Sequence, residues 1–294
     1  MQEGAIGELT RRGMAAAIRL AQRLGLPHDQ PVVLSNRGNL LVHLTPAPVV
    51  ARVATLTARS RRDPIEWLAR EVAVAGYVAS RGGPVVAPAE NAGPYWQDGF
   101  AISLWEHIRA LDAVPGPADV GFVLARLHKI ARECPAELGG LNAATDQITD
   151  GLAMLEREAI LDTATLATLR EAHTVALSEM RAIGGAPVVL HGDAHHGNLL
   201  AEPNRGWLWI DLEETGRGPA AWDLATMVSH YPEREARTAL TAYAAESGTA
   251  VPALAPFRRV RDLEAAVWSA CMAHLYPARY AEAARRLLAS VLRE

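Results

Sequence analysis

Three oxygen-bearing side chains, Asp193, Asn198 and Asp211, lie in a short stretch of the sequence where polar loops alternate with apolar runs. Asp193 and Asn198 share a polar loop between two apolar runs, and a further apolar run, 207–210, leads directly to Asp211. Two strands joined by a loop and a turn would bring the three side chains together. Carboxylate and amide oxygens suit Mg²⁺, which leaves positions for phosphate oxygens, and a remaining carboxylate can accept a hydroxyl proton. The pattern therefore predicts phosphoryl transfer.

The order of residues around Asp193 resembles a known catalytic loop. His191-Gly192-Asp193, with Asn198 five positions after the Asp, is similar to the HGDxHxxN loop of the aminoglycoside phosphotransferase and choline kinase superfamily. The resemblance implies that Asp193 is the catalytic base and that Asn198 and Asp211 bind Mg²⁺. It also implies a small-molecule kinase that transfers the γ-phosphoryl group of ATP or GTP to a hydroxyl of an aminoglycoside, a sugar or an amino alcohol.

The same resemblance implies a cation that contacts the nucleotide phosphates. The family lysine on the third strand is matched by Arg52, and its glutamate partner on the next helix is matched by Glu71, with Glu66 as the poorer fit. Lys129 is the single lysine among 29 basic residues, so arginine has to fill roles that lysine usually fills. Because a guanidinium is larger than an ammonium and not equivalent to it, a non-catalytic nucleotide-binding protein of kinase fold is the alternative.

Two backbone segments are matched by their position in the family pattern. The turn between the first two strands would lie over the phosphates and donate backbone N–H groups to them. The hinge after the last strand of the sheet would hydrogen-bond the nucleotide base. The residues assigned to these segments are Ser35, Asn36 and Gly38 in the turn, and Trp105, Glu106 and His107 in the hinge.

Asp223 and His191 are expected to support the loop rather than to react. In the family, the Asp matched by Asp223 braces the catalytic loop by hydrogen bonds to its backbone, and the histidine matched by His191 packs inside that loop. A metal-hydrolase site built on His195 and His196 beside Asp193 is an alternative, since imidazole and carboxylate suit zinc. A zinc site would leave Asn198 and Asp211 without a purpose, so we do not favour it. We interpret His196 as solvent-facing.

Two other features have both a functional and an ordinary interpretation. Glu213 and Glu214 could contact a cationic acceptor or a second metal ion, or could be surface turn residues. The basic run Arg59, Arg61 and Arg62 precedes a helix and is interpreted as a solvated loop rather than a phosphate clamp.

A strand-rich first third followed by helices predicts an α+β protein of two lobes, of the protein-kinase-like kind. We expect an antiparallel β N-lobe with one helix over residues 1–104, a hinge at about 104–108, and a helical C-lobe over 109–294 that carries the catalytic loop and the acceptor site. The predicted strands are 31–34, 40–44, 49–55, 85–88 and 100–104, and the predicted helices are 13–24, 64–80, 118–132, 146–160 and 163–180, with several more from 220 onward.

Composition excludes several other classes. The net charge of −4 gives no basic surplus for nucleic acid, and no apolar run reaches the roughly 18 to 20 residues that span a bilayer. Cys134 and Cys271 have no metal-like spacing, so we expect reduced cysteines in a cytoplasmic protein. Because only about a dozen residues separate Asp211 from Asp223, there is no room for a long activation loop, which favours a small acceptor over a polypeptide. The oligomeric state is left open.

Overall fold

The computed structural model describes residues 2–59 and 63–293, so Arg61 and Arg62 lie outside the described residues. Its first third contains an antiparallel sheet of five strands in the order β1-β2-β3-β5-β4. The strands are β1 Val32–Asn36, β2 Leu40–His43, β3 Val49–Val53, β4 Tyr95–Gln97 and β5 Phe100–Glu106.

Two helices pack against this sheet, each where the sequence predicts a helix in this part of the chain. Helix α1, Gln2–Leu24, is longer than the predicted 13–24, because Ile6 and Leu9 continue its apolar face onto the C-terminal helices. Helix α2, Pro64–Ala79, begins with a proline in its first turn, and the Asp63 carboxylate caps it by accepting a hydrogen bond from the Glu66 N–H at 3.1 Å.

The predicted strand at 85–88 is wrong. Val85 and Pro88 each make only an isolated bridge, to Trp209 and Trp105 respectively, because prolines supply no N–H to a ladder. The fifth strand of the sheet is instead β4, which was not predicted. It pairs with β5 across a tight turn at Asp98 and Gly99, both with positive φ. An Asp-Gly pair between two segments rich in aromatic residues is a hairpin signal that the sequence contained.

The remainder of the described chain is mainly helical, with two small antiparallel sheets, β6 with β9 and β7 with β8. The two-lobed α+β fold is confirmed, and the residue limits of the lobes stay a prediction. Most of its core lies in two hydrophobic clusters, and neighbouring residues of β6 pack in both, Val189 in one and Leu190 in the other. No helix within 2–59 or 63–293 is long and apolar enough to cross a membrane. The elements are α3 Pro117–Ala131, α4 Asn142–Arg157, α5 Thr163–Ile183, β6 Pro187–Leu190, β7 Leu199–Glu202, β8 Gly206–Trp209, β9 Gly216–Pro219, α6 Ala221–Ser229, α7 Glu233–Ser247, α8 Ala255–Leu275 and α9 Pro277–Val291.

Helices α3 and α7 approach each other closely at Gly121. A Cβ built on Gly121 would lie 2.0 Å from the Ala239 carbonyl oxygen, which no side chain can tolerate. This approach brings His128 of α3 and Tyr243 of α7 into contact.

We expect Gly121→Ala to lower the free energy of unfolding by roughly 2 kcal/mol, because the added methyl forces α3 and α7 apart. Gly7→Ala is the matched control: nothing lies within 4 Å of its Cβ position, so the better helix former should raise stability by roughly 0.5–1 kcal/mol. Urea unfolding followed by circular dichroism measures both. Equal stability of the two variants would contradict the packing described here.

Candidate active site

Asp223, in the first turn of α6, holds the backbone of the loop that contains Asp193. Its fully buried carboxylate accepts hydrogen bonds from the N–H of His191 at 2.7 Å and from that of Gly192 at 2.9 Å. The Trp222 indole N–H adds a bond to the Gly192 carbonyl at 3.0 Å. The predicted bracing role of Asp223 is confirmed.

A second layer of buried groups holds Asp223. His128 Nε2 lies 2.9 Å from the Asp223 carboxylate, and His128 Nδ1 lies 2.9 Å from the Tyr243 hydroxyl. Burial raises the pKa of Tyr243 to about 12, so its hydroxyl stays protonated, and Nε2–H of His128 donates to the Asp223 carboxylate. Burial acts to raise the pKa of Asp223, but the His128 hydrogen bond and charge hold it below its usual value.

Gly192 is required by the shape of the loop. Its φ is +96°, and a Cβ there would lie 2.3 Å from the Glu214 carbonyl oxygen. The chain can therefore pass between Asp223 and Glu214 only as glycine, which explains the Gly in the His-Gly-Asp sequence.

His191 ties the loop to the strand end that carries Asp211. Burial lowers the pKa of His191, so the ring is neutral: Nε2–H donates to the Ile210 carbonyl at 3.0 Å, and Nδ1 accepts from the Asp193 N–H at 3.3 Å. Asp211 has φ +65°, a left-handed conformation that non-glycine residues adopt rarely and often at functional sites. The predicted structural role of His191 is confirmed.

Hairpin β7–β8 brings Asn198 next to these residues. The Ile210 N–H donates to the Asn198 carbonyl at 3.0 Å, and the Asn198 side-chain Nδ2 donates to the Asp193 carbonyl oxygen at 2.9 Å. Because that contact uses the nitrogen of the amide, its oxygen Oδ1 is turned away from Asp193. The convergence of Asp193, Asn198 and Asp211 that the sequence predicts is present.

Arg52 of β3 is buried among three carboxylates at the inner end of the cleft. Its guanidinium donates to Glu71 at 3.2 Å, to Asp211 at 2.5 Å and to Glu213. Burial opposes the positive charge, but Asp211, Glu71 and Glu213 raise the pKa of Arg52 well above its ordinary value. Burial raises the pKa of Glu71 to about 8, against the effect of Arg52. The predicted Arg52–Glu71 pair is present.

Glu213 is a buried residue, which excludes the interpretation of it as a surface turn residue. It is 9% exposed, and besides Arg52 it accepts a hydrogen bond from Asn39 Nδ2 at 2.7 Å. Glu213 and Glu214 also line a second cavity of about 420 Å³ beside the cleft, between α2 and α4.

A cavity of about 150 Å³ separates the sheet from hairpin β7–β8. Apolar side chains line it on both sides, with Leu34 and Val50 above and Leu200 below, and Arg52 and Asp211 lie at one end. The predicted hinge forms its back wall. The sequence-predicted residues that line it are Arg52, Glu71, Trp105, Glu106, His107 and Asp211.

The predicted turn lies beside this cavity and is tied to the C-terminal helix. Asn36 donates through its side chain to Thr10 of α1 at 2.7 Å, and its carbonyl accepts from Arg279 of α9 at 3.0 Å. The Tyr280 hydroxyl of α9 donates to the next carbonyl, that of Arg37, at 3.2 Å. The phosphate-binding role assigned to Ser35, Asn36 and Gly38 stays a prediction.

Two histidines close to Asp193 in sequence pack against the two residues that follow α6. His195 stacks on His230 with ring centroids 4.5 Å apart, and burial lowers the pKa of His230 to about 4. His196 is half-buried against Tyr231, so the solvent-facing position predicted for it is wrong. Among the residues that the structure describes, no group of three or more His, Cys, Asp or Glu side chains could hold a metal ion.

Arg261 of α8 is a site residue that sequence reasoning missed. Its Nη2 donates to Asp193 Oδ1 at 2.8 Å. Burial acts to raise the pKa of Asp193, but the His195 hydrogen bond and the Arg261 charge hold it well below its usual range. Asp193 is therefore an ionised carboxylate that is ready to accept a hydrogen bond.

The model of the phosphotransferase enzyme family matches residues 32–263. No curated protein matches the sequence.

Several solved structures share the fold at low sequence identity. An amicoumacin kinase in complex with AMP-PNP and Ca²⁺ has a TM-score of 0.72 at 11% identity, covering 94% of this chain and 93% of that one. A choline kinase from Streptococcus pneumoniae has a TM-score of 0.69 at 17% identity, covering 94% and 99%. A choline/ethanolamine kinase family protein from Mesorhizobium loti has a TM-score of 0.67 at 20% identity, covering 96% and 95%.

We expect Asp223→Asn to lower the free energy of unfolding by about 3 kcal/mol at neutral pH, because the loop N–H groups lose a buried charged acceptor. The pKa of Asp223 is depressed in the folded state, so its contribution is complete above the unfolded pKa of about 4 and is lost as the pH falls below it. The difference from the wild type should therefore shrink in acid. Exposed Asp162→Asn keeps a helix cap and is the control. Urea unfolding at several pH values would contradict this account if Asp223→Asn matched the control.

Proposed function

We propose that this chain, a small-molecule kinase that belongs to the phosphotransferase enzyme family, transfers the γ-phosphoryl group of ATP or GTP to a hydroxyl group. Asp193 is the proposed base. The observation that carries this proposal is the meeting of Asp193, Asn198 and Asp211 beside a cavity that Arg52 and Asp211 line together.

Asp193 has the features that a base for a hydroxyl needs. It is ionised, and its Oδ2 has only long contacts, 3.4 Å to Asn198 Nδ2 and 3.4 Å to His195 Nε2. Oδ2 can therefore orient an acceptor hydroxyl and take its proton as the oxygen attacks phosphorus. Rate acceleration would come mainly from positioning and charge neutralisation.

Asn198 and Asp211 fit a magnesium ion. The Asn198 amide directs its oxygen away from Asp193, and the Asp211 side chain is 40% exposed, with one oxygen on Arg52 and the other outside that contact. Two hard oxygen ligands are what Mg²⁺ uses when phosphates complete its shell. Bound there, Mg²⁺ would neutralise phosphate charge.

Arg52 is the proposed phosphate-contacting cation. It occupies the strand position and has the Glu71 partner that the family pattern requires, and a guanidinium can bind phosphate oxygens bidentately. The hinge residues Trp105, Glu106 and His107 would contact the base, and the turn of Ser35, Asn36 and Gly38 would cover the phosphates. A nucleotide donor and buried, unpaired Cys134 and Cys271 favour the cytoplasm.

The acceptor is proposed to be a small molecule bound where its hydroxyl can reach Asp193 Oδ2, the oxygen that Arg261 does not hold. An aminoglycoside, another sugar or an amino alcohol each fits this class. A non-catalytic nucleotide-binding protein is the second candidate, which the replacement of lysine by Arg52 favours. We prefer the enzyme because Asp193 is held ionised beside Asn198 and Asp211, an arrangement that nucleotide binding alone does not need.

We expect Asp193→Ala to reduce turnover at least about 100-fold, since general-base catalysis contributes 10²–10⁴-fold, while nucleotide affinity changes little. Release of nucleoside diphosphate from ATP or GTP with Mg²⁺ is measured against a panel of hydroxyl compounds, and affinity is measured with a fluorescent nucleotide. Asp29→Ala, an exposed loop change, is the control. Full turnover by Asp193→Ala would contradict the assignment of the base. Tight nucleotide binding by a wild-type protein that shows no turnover would favour the second candidate.

A further inference from the structure

Arg261 reaches Asp193 from α8. Nη2 of Arg261 donates to Asp193 Oδ1 at 2.8 Å, and the guanidinium carbon lies 5.1 Å from the centroid of the Trp222 ring. The Trp222 indole in turn donates to the Gly192 carbonyl. Arg261 therefore contacts both the carboxylate and a residue that fixes the loop backbone.

The other guanidinium nitrogen of Arg261 is held by two further carboxylates. Nη1 donates to Glu264, one helical turn later, at 2.7 Å and to Glu214 at 3.2 Å. The Arg261 side chain is only 15% exposed. A planar guanidinium held by carboxylates on both nitrogens and flanked by an indole has little freedom to rotate.

The two oxygens of Asp193 consequently have different environments. Oδ1 has a short charge-assisted bond to Arg261, whereas the contacts of Oδ2 with Asn198 and His195 are both 3.4 Å long. Rotation of the carboxylate would break the strong bond, so Oδ2 stays the oxygen that is open to a new donor.

We propose that Arg261 is a positioning residue for phosphoryl transfer: it holds Asp193 by Oδ1 so that Oδ2 faces the acceptor hydroxyl. The inference rests on the proposed function in that Asp193 is the base. In the reaction, the hydroxyl proton passes to Oδ2 while the acceptor oxygen bonds to the γ-phosphorus. The bond from phosphorus to the β–γ bridging oxygen breaks, and nucleoside diphosphate leaves.

This role makes a specific kinetic prediction. Misplacement of a catalytic group by about 1 Å can cost roughly 100-fold in rate, so Arg261→Met should lower kcat by about that factor, with the KM values of nucleotide and acceptor nearly unchanged. Arg261→Lys keeps the charge and one donor and should recover part of the rate. Added guanidinium ion should partly restore Arg261→Ala, whereas urea, which has no charge, should not.

Arg259→Met is the matched control, since Arg259 lies on the same helix and pairs with Glu179 at the surface. Thermal unfolding tests whether each variant is folded, and Arg261→Lys, the smaller change, replaces Arg261→Met in every measurement if the latter does not fold. A rise in the KM of the acceptor with kcat unchanged would mean that Arg261 binds the acceptor, and it would overturn the proposal. Unchanged kinetics would overturn it too.

A readout without turnover separates this inference from the proposed function. Crystal structures of the wild type and Arg261→Met should show Asp193 in one position in the wild type and in a rotated or multiple position in the variant. The same single position in both overturns the positioning role. If the wild type phosphorylates no hydroxyl compound, the proposed function fails, and these two structures still decide whether Arg261 positions Asp193.

Discussion

Mutual repulsion among carboxylates is the constraint that this cleft has to satisfy. Two like charges 4 Å apart repel by about 4 kcal/mol at an effective dielectric constant of 20. Several such pairs together would strongly destabilise the folded cleft. Two largely buried guanidinium groups offset it. Each guanidinium contacts three acidic side chains: Arg52 contacts Glu71, Asp211 and Glu213, and Arg261 contacts Asp193, Glu214 and Glu264. Since Glu213 and Glu214 are adjacent, one short segment links the two clusters.

The loop that carries Asp193 is fixed from beneath by neutral and charged hydrogen bonds. Asp223 bonds the loop backbone at His191 and Gly192, His128 contacts Asp223, and Tyr243 contacts His128. Side chains from α3, α6 and α7 therefore all help to hold these two peptide groups. His191 extends the connection to the strand end before Asp211. The side chains proposed to react are thus held by groups that do not react.

Local sequence signals were enough to predict the parts of the site that lie close together along the chain. Asp193, Asn198 and Asp211 are brought together by one hairpin, and the short apolar runs around them are typical of buried strands. Arg261 was beyond such reasoning, because it is distant in sequence and lies on an amphipathic helix where an arginine is ordinary. Only the packing of α8 against Trp222 gives it a role. The start of α1 was missed for a related reason, since it packs against the distant C-terminal helices. Strand β4 was missed although its turn to β5 at Asp98 and Gly99 is a local signal.

The central claim is that one cleft brings a nucleotide, a divalent ion and Asp193 together for phosphoryl transfer. A crystal structure of the protein with AMP-PNP and Mg²⁺ tests it most directly. The account predicts the base of the nucleotide against residues 105–107, phosphate oxygens within hydrogen-bond distance of Arg52, and Mg²⁺ bound by Asn198 and Asp211. The γ-phosphate should face Asp193 Oδ2. A nucleotide bound elsewhere, or a metal ion that contacts neither Asn198 nor Asp211, would contradict the account.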